Sequence, residues 1–389
     1  MSFRDLLVEE KDLLKDSSTV FLSNSIASLL LFLANLYLSK MLGHVMFGSF
    51  KTVLYLFSLA FSMIEFGMSV TLSKYIADPK TRRKTGYLLK SFIRIRVVSF
   101  VLLTVGMIVF RDFIALQFLH DQGLSYLLIA GIALAMSSFF AFIKEMVRGY
   151  ENFKLYSMSI FVTKALSLVI GCGLVYLFGV FYAIVGFGIS GIVGDLICLK
   201  FLFGKKSFVV KERIDVKKVF LSYSLPMHIL RIPGYLGSAI VPLLSLFFSQ
   251  EVMGYYSFAF MFYFMTAMIP GSVQTVLFPK VSRMNSNGNG KDAEKSLKSV
   301  FKIYTPIVVV GVAGILMFSG MAVKALFSDY LPGLPIFKAM VSLGLVFGYF
   351  GIYSSYLAAK GNIGRTALII LAQNVLMFLV SYLVLYWLL

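Results

Sequence analysis

The sequence contains eleven apolar stretches, and most of them are about as long as the roughly 20 residues that an α-helix needs to cross a bilayer. These stretches use most of a chain that is 59% hydrophobic and only 14% charged. A water-soluble fold of 389 residues could not bury that much apolar surface. The connections are short and leave no room for a soluble catalytic domain. We therefore predict an all-α polytopic membrane protein with about 11 transmembrane helices.

A polar segment near the middle of the chain separates six apolar stretches from five. This break predicts an N-lobe over residues 19–204, a cytoplasmic linker over 205–218 and a C-lobe over 219–389. Residues 1–18 place their apolar side chains on one helical face, which predicts an interfacial amphipathic helix. The apolar cores of the stretches are 20–38, 50–72, 97–110, 124–143, 158–178, 181–203, 221–248, 255–277, 303–321, 336–358 and 367–389.

The net charge of +18 could indicate nucleic-acid binding, but the positions of the cations indicate membrane topology instead. With the N-terminus placed inside, 29 of the 36 Lys and Arg residues fall in inner segments, including all eight from Lys74 to Arg96. Lys and Arg accumulate in the cytoplasmic loops of membrane proteins. We therefore predict a multi-pass protein of the plasma membrane with a cytoplasmic N-terminus, an external C-terminus and no nucleic-acid partner.

The second half of the chain repeats the first at an offset of 206 to 208 residues. Lys74 falls on Lys280 at the inner end of the second helix of each half, and Asp121 falls on Asp329. The turn that ends in Gly48 falls near Gly254. Because the repeat unit has six spans, both halves share one orientation. This predicts two parallel-related lobes of six and five helices around a cavity, an architecture typical of transporters.

Several short motifs resemble one membrane-protein family. Glu65-Phe66-Gly67 lies in the second helix and Ser73-Lys74-Tyr75-Ile76-Ala77 follows it. Ser222-Tyr223-Ser224-Leu225-Pro226 and Pro279-Lys280-Val281-Ser282-Arg283 lie in the second half. Together with Leu38-Ser39-Lys40-Met41-Leu42-Gly43, they resemble the polysaccharide and lipid-linked-oligosaccharide flippases of the multidrug/oligosaccharidyl-lipid/polysaccharide (MOP) exporter superfamily. The resemblance covers nearly the whole chain.

The resemblance implies a transporter and not an enzyme. A lipid carrier with a phosphate-linked oligosaccharide or polysaccharide repeat unit would be moved from the inner to the outer leaflet by alternating access. The implied partners are the lipid-linked sugar, membrane lipids and polysaccharide-assembly proteins. We expect no catalytic residue, no metal site and no cofactor, with H⁺ or Na⁺ as the candidate coupling ion. An anionic, hydrated head group would require cations and hydroxyls deep in the membrane.

Helix seven supplies the first group of candidates for substrate binding. His228, Arg231 and Tyr235 belong to a polar stripe with helical spacing that begins at Ser224 and ends at Ser245. Arg231 lies about 15 Å from the end of the helix, which favours contact with an anionic head group. The alternative is an arginine that extends its side chain to the interface and binds nothing.

Helix two supplies a second stripe, which includes Lys51, Ser62 and Glu65. Ser62 is a candidate for the cavity. A carboxylate within a span must be paired, protonated or bound to a cation, so Glu65 either couples transport to an ion or neutralises Arg231 or Lys164. Lys51 is either a residue of the outer gate or an exposed lysine at the end of a loop.

Asn24 on helix one and Lys164 on helix five complete the predicted cavity residues. Asparagine often bridges packed helices instead of binding ligands, and Lys164 lacks an acidic partner on its own helix. The two cysteines, Cys172 and Cys198, lie at different predicted depths, so we expect neither a disulfide nor a metal pair.

Two other functions are weighed against a flippase. A cation-coupled multidrug antiporter would share the fold, but such a protein is expected to place acidic residues in its cavity helices, whereas the deep charges on helices five and seven are basic. A membrane glycosyltransferase or ligase would need outer loops large enough to hold an active site, and the outer connections here are short. The sequence therefore favours an exporter with an anionic substrate.

Overall fold

The computed structural model describes the backbone of residues 3–286 and 290–388. It describes the side chains of residues 23–387 except for Thr275, Pro279 and 286–290. Within these ranges every regular element is helical, and there is no β-strand. The predicted interfacial helix over residues 1–18 lies outside the described side chains, and its backbone is helical from Phe3.

The apolar stretches of the first half form one very long helix and a series of shorter ones. Short 3₁₀ or π-helical turns join several of them. The helices are α1 Phe3–Ile64, α2 Met68–Ala77, α3 Thr85–Val109, α4 Arg111–Leu119, α5 Tyr126–Phe140, α6 Phe142–Gly149, α7 Phe153–Leu166, α8 Cys172–Phe178, α9 Val180–Leu196, α10 Leu199–Gly204 and α11 Val216–Val219.

The second half contains fewer and longer helices. They are α12 Leu225–Ser245, α13 Gln250–Ser286, α14 Gly290–Leu326, α15 Leu334–Val346, α16 Gly348–Ala359 and α17 Ile363–Leu388.

Ten segments of the described chain are long and apolar enough to cross a membrane. The first of these, Ser23–Ile64, has 42 residues, and at 1.5 Å per residue it would be about 63 Å long, roughly twice the thickness of the hydrocarbon core. Gly43 interrupts it with non-helical φ and ψ of 67° and 174°. A break at this point gives two spans, which agrees with the predicted count of eleven.

The outward surface of the spans is apolar. On α3, Val98, Leu102 and Val109 are 59 to 68% exposed. Contiguous apolar surface of this kind would promote aggregation in water, whereas it matches the hydrocarbon of a bilayer. The fold and the exposed surface are therefore those of a multi-pass membrane protein.

The helices pack into two compact units. The first runs to Met41 and also holds Leu56–Leu116 and Asp121–Ile229. The second holds Leu42–Tyr55, Gln117–His120 and the chain from Leu230 onward. The lobe boundaries expected from the sequence stay a prediction.

The first unit has an apolar core built from residues that recur at helical spacing. Met68, Leu72 and Ile76 lie four residues apart on α2 and are all buried. They pack with buried residues of α3, α6 and α10, including Phe92 and Met146. This core fixes the end of α2 against its neighbours.

In the second unit, two glycines allow the start of α13 to approach the chain that follows Gly43. A Cβ atom added to Gly254 would overlap the His44 carbonyl oxygen, and one added to Gly48 would overlap the Gln250 carbonyl oxygen. Only glycine permits so close an approach of two backbones. Gly48 and Gly254 occupy equivalent positions in the two halves of the internal repeat.

The repeat is also visible in how the helices are interrupted. The boundary between α5 and α6 is at Ala141, and the boundary between α15 and α16 is at Phe347. These positions differ by 206 residues, which is within a few residues of the offset found in the sequence. Corresponding helices of the two halves therefore break at corresponding places.

We expect Gly254→Ala to lower the thermal unfolding temperature of the purified protein, because overpacking of this kind costs about 1–3 kcal/mol. Gly271→Ala is the matched control, since Gly271 lies on the same helix and an added Cβ would have no atom within 4 Å. Equal unfolding temperatures for the two variants, measured by fluorescence in detergent, would contradict the close approach.

Candidate functional site

The Glu65-Phe66-Gly67 segment forms the turn between α1 and α2. Phe66 and Gly67 have positive φ angles of 49° and 69°, so the helical backbone is interrupted at these two residues. Glu65 Oε1 accepts a hydrogen bond from the Ser69 amide at 2.6 Å, and Oε2 accepts one from the Gly67 amide at 3.1 Å. The carboxylate thus satisfies amides at the start of α2, where the helix dipole favours negative charge.

Arg96 is the cation that the structure places beside Glu65. Its Nη1 lies 3.5 Å from Glu65 Oε1 and donates a hydrogen bond to Ser69 Oγ at 3.2 Å. The residue is only 3% exposed. Arg96 is thus buried within α3, and the neutralising partner of Glu65 in this unit is Arg96 and neither of the two cations expected from the sequence.

Arg96 also stabilises the interruption between α5 and α6. Its Nη2 donates hydrogen bonds to the Ser138 and Phe139 carbonyls at 3.0 and 3.1 Å. Carbonyls at the end of a helix lack an intrahelical partner, and a guanidinium can satisfy two of them at once. The aromatic rings of Phe61, Phe139 and Phe142 surround the guanidinium at 5.3 to 5.8 Å. These contacts join α1, α2, α3, α5 and α6 around one buried ion pair.

The chain at the start of α12 packs directly against this turn. A Cβ atom on Gly67 would overlap the Ser224 carbonyl oxygen, and the hydroxyls of Thr71 and Ser224 are 2.7 Å apart. The His228 ring lies 5.6 Å from the Phe66 ring, and the residue is 6% exposed. His228 therefore occupies a packed position of the first unit and not an open surface.

Three further predicted cavity residues lie in the first unit. Asn24 is exposed, and its backbone carbonyl accepts a hydrogen bond from Ser28 Oγ. Ser62 is half-buried and donates its hydroxyl proton to the Ser58 carbonyl at 2.7 Å. Lys164 is half-buried on α7. In this unit the structure brings His228 and Glu65 to the same turn.

Lys164 lies near a second buried carboxylate. Asp195 is 1% exposed, receives Lys144 Nζ at 3.1 Å and accepts a hydrogen bond from Ser159 Oγ at 3.4 Å. Lys164 is close enough to interact electrostatically with both Lys144 and Asp195. The acidic group that Lys164 lacks on its own helix is therefore supplied by α9.

Arg231 and Tyr235 lie on the part of α12 that belongs to the second unit. Arg231 is exposed, Tyr235 is half-buried, and Ser245 at the end of the stripe is fully buried. No carboxylate among the described residues lies within 4 Å of Arg231, and no described residue forms a hydrogen bond with it. The residues at the two ends of this stripe, Ser224 and Ser245, are thus buried, and Arg231 between them is exposed.

An amide from α17 meets the same helix close to Arg231. Asn374 Nδ2 donates a hydrogen bond to the Pro233 carbonyl at 2.6 Å, and Gly237 leaves room for the Asn374 side chain. Asn374 therefore bridges two helices, the packing role that asparagine commonly has in membrane proteins.

Lys51 is 6% exposed, so the exposed loop-end alternative is wrong. Its ammonium lies 5.3 Å from the centre of the Phe47 ring and 5.9 Å from that of Phe50. Its neighbour Thr52 is 3.3 Å from Gln250 Oε1, and Gln250 in turn donates to the Phe118 carbonyl at 2.6 Å. Lys51 thus belongs to a packed polar region of the second unit.

The described residues form neither a metal-binding group nor a disulfide. Among the described residues, no three His, Cys, Asp or Glu side chains come together. Cys172 and Cys198 are both buried free thiols, and Cys172 Sγ lies 3.7 Å from the Ala34 carbonyl oxygen. The polar chemistry of the described chain includes ion pairs, hydroxyls and the exposed Arg231 guanidinium near the middle of a candidate span.

Comparison with known proteins supplies the context for this geometry. The sequence model of a family described as "Polysaccharide biosynthesis protein" matches residues 13–285, which is more than half of the chain. Stage V sporulation protein B of Bacillus subtilis (strain 168) is 26% identical over 218 residues. That match covers 54% of this chain and 41% of the relative, so the chain spans less than half the length of the curated relative it matches.

Two solved structures have a similar fold. One is the inward-facing conformation of a multidrug resistance MATE family transporter of the MOP superfamily, with a TM-score of 0.72 and 15% identity over 92% of this chain and 88% of that one. The other is the lipid II flippase MurJ in an inward closed conformation, with a TM-score of 0.68 and 16% identity over 95% of this chain and 86% of that one. The TM-scores show a shared fold, and at identities this low they show the fold alone.

We expect Arg96→Gln to destabilise the protein by about 3–5 kcal/mol, because it leaves the Glu65 carboxylate without its buried partner. Arg94→Gln is the control, since Arg94 is exposed and lies on the same helix, and its replacement should change stability by less than about 0.5 kcal/mol. Denaturant or thermal unfolding in detergent would measure both. Equal stability of the two variants would show that the Glu65–Arg96 pair does not hold these helices together.

Proposed function

Because the chain belongs to the polysaccharide biosynthesis protein family, we propose that it moves a lipid-linked, phosphate-bearing sugar from the inner to the outer leaflet of the plasma membrane. The family match over residues 13–285 is the observation that carries this proposal. Membership also confirms the resemblance inferred from the sequence motifs. The MurJ-like fold supports the proposal, since that protein is described as a lipid II flippase.

Within this proposal Arg231 is the principal contact for the substrate phosphate. It is exposed although it lies within a candidate span, and no carboxylate of the described chain neutralises it. An arginine can hold a phosphate through two parallel hydrogen bonds. Tyr235, half-buried one turn further along α12, would contribute a hydroxyl.

The other candidates take supporting roles. Asn24, Ser62 and Lys164 would line the path of the sugar, and His228 would support α12 from its packed position. The pairing of Glu65 with Arg96 supports a counter-charge role for Glu65, and H⁺ or Na⁺ coupling would then rely on another group. Lys51 remains the proposed residue of the outer gate.

A cation-coupled multidrug antiporter is the second candidate. The likeness to a multidrug resistance transporter, with a TM-score of 0.72, favours it. The exposed cation on α12 argues against it, because cationic drugs would be repelled where a phosphate would be attracted. Proteins of one fold can carry unrelated substrates, so a functional assay must separate the two.

We expect Arg231→Ala to abolish or severely reduce export of the lipid-linked sugar in cells that depend on this protein. Loss of a charged hydrogen bond of roughly 1.5–3 kcal/mol would weaken binding about ten- to a hundredfold. Arg231→Lys should give intermediate export, because lysine keeps the positive charge but cannot form the bidentate pair of hydrogen bonds with phosphate. The measurement is accumulation of the lipid-linked sugar at the inner leaflet, with protein levels checked by immunoblot.

Arg365→Ala is the matched control, because Arg365 is an exposed arginine outside the polar stripe. The Arg365→Ala variant should export the lipid-linked sugar as well as the wild type does. Normal export by Arg231→Ala would remove Arg231 from the site. Normal sugar lipid distribution after complete loss of the protein, together with new sensitivity to cationic drugs, would favour the antiporter.

The proposed orientation makes a separate prediction. Single cysteines at Lys291 and Lys324 lie at opposite ends of α14, and the two native cysteines are buried and should give little background. A membrane-impermeant maleimide added to intact cells should label Lys324→Cys, and Lys291→Cys should react only after permeabilisation. The reverse pattern would overturn the proposal that the N-terminus is cytoplasmic.

A further inference from the structure

A small cavity in the first unit lies between the turn that follows α2 and the chain that follows α10. Its volume is about 260 Å³. The side chains that line it include five cations, namely Arg82, Arg83, Lys205, Lys206 and Lys211. None of these residues belongs to the proposed transport path, and the cavity is not explained by the proposed function.

The positive charge of this cavity is largely unneutralised. Arg83 Nε lies 2.9 Å from Glu212 Oε1. Within the described parts of the chain, the other four lining cations have no carboxylate within 4 Å. A concentration of like charges is unfavourable unless an anion is present to offset it. The cavity therefore has the charge of an anion site.

Hydrogen bonds hold Arg82 and the walls of the cavity in place. Arg82 Nε donates to the Ile76 carbonyl at 2.6 Å and Nη2 donates to the Ala77 carbonyl at 3.3 Å, which fixes the guanidinium at the end of α2. Tyr150 Oη and Ser207 Oγ, both in the lining, are 2.9 Å apart, and Ser207 is 5% exposed. A Cβ atom on Gly86 would overlap the Val209 carbonyl oxygen, so the two walls are in close contact.

Lys206 occupies a backbone position that usually requires glycine. The Lys206 amide donates to the Phe203 carbonyl at 2.9 Å, and the Ser207 amide donates to the Leu202 carbonyl at 3.1 Å. This pair of bonds is the Schellman motif, in which the residue after the helix cap is left-handed and is most often glycine. Lys206 adopts φ of 54° there, so this position holds a cation where the backbone would favour a residue without a side chain.

We propose that this cavity binds a phosphate group, carried either by an anionic lipid head group or by a free phosphate or diphosphate. Arginine and lysine side chains with nearby hydroxyls are the donors that phosphate prefers. The volume is below the roughly 300–1,000 Å³ of sites for drug-sized ligands, which suits a phosphate and excludes an oligosaccharide. Arg82 begins a candidate span, so the site lies at the membrane boundary, where lipid phosphates are found.

The two sources of phosphate are tested separately on the purified full-length protein. Titration with inorganic pyrophosphate, followed by calorimetry, measures binding of a free anion. Native mass spectrometry after release from nanodiscs of equal phosphatidylglycerol and phosphatidylcholine measures retention of an anionic lipid. We expect binding in at least one experiment. Pyrophosphate binding alone identifies a site for a soluble phosphate, and preferential phosphatidylglycerol retention alone identifies a head-group site.

The test variant replaces Lys205, Lys206 and Lys211 by Gln. It should weaken the observed binding about tenfold or more, because charged hydrogen bonds are lost. The matched control replaces Lys90, Lys154 and Lys200 by Gln, which removes the same charge from exposed lysines of the same unit outside the cavity. The control should bind like the wild type.

Absence of binding in both experiments, or equal weakening by the two triple variants, would overturn the proposal in favour of non-specific attraction by surface charge. If the first triple variant elutes as an aggregate, the single change Lys211→Gln at an exposed position takes its place, with Lys90→Gln as its control. Either result leaves the transport proposal unaffected, since export is not the readout.

Discussion

Hydrocarbon offers no hydrogen-bond partner, so every polar group within a span must be satisfied by the protein itself. Much of the structure follows from this constraint. Ser62, Thr163 and Ser190 each donate a hydroxyl proton to the carbonyl four residues earlier on their own helix. Where the helices break, at Glu65-Phe66-Gly67 and at Ala141, a carboxylate and a guanidinium supply the partners that the backbone has lost. The helices can be interrupted because the ion pair stabilises the interruption.

The same constraint distinguishes the charges that are paired within the protein from a charge that is not. Glu65 is paired with Arg96, and Asp195 is paired with Lys144, each across two helices. Arg231 differs, because it is exposed within a span and the described chain places no carboxylate beside it. A charge in such a position is expensive unless it meets water or a ligand of opposite sign. This contrast, with the family membership, supports an anionic substrate.

The number of spans and the internal repeat could be predicted from the sequence, because hydrophobic length and residue spacing are local properties. The close approach at Gly48 and Gly254 agrees with the repeat. The burial of Arg96 could not be predicted, since a count of basic residues near a helix end does not distinguish an exposed cation from a buried one. Ala141 carries no proline or glycine signal, so the break beside it could be found only from tertiary contacts. The polar residues of helix seven have helical spacing, but spacing alone does not show that the residues at the two ends of the stripe are buried.

The central claim is that this protein moves a phosphate-bearing sugar lipid between leaflets. It is tested most directly in vesicles that contain the purified protein and a labelled lipid-linked oligosaccharide in both leaflets. A membrane-impermeant reagent that modifies the sugar is added outside, and the fraction modified is followed over time. The account predicts that the reagent reaches nearly all of the label in vesicles with protein, and only about half, the outer-leaflet share, in vesicles without it. A plateau at the protein-free value, with protein shown to be folded and inserted, would contradict the account.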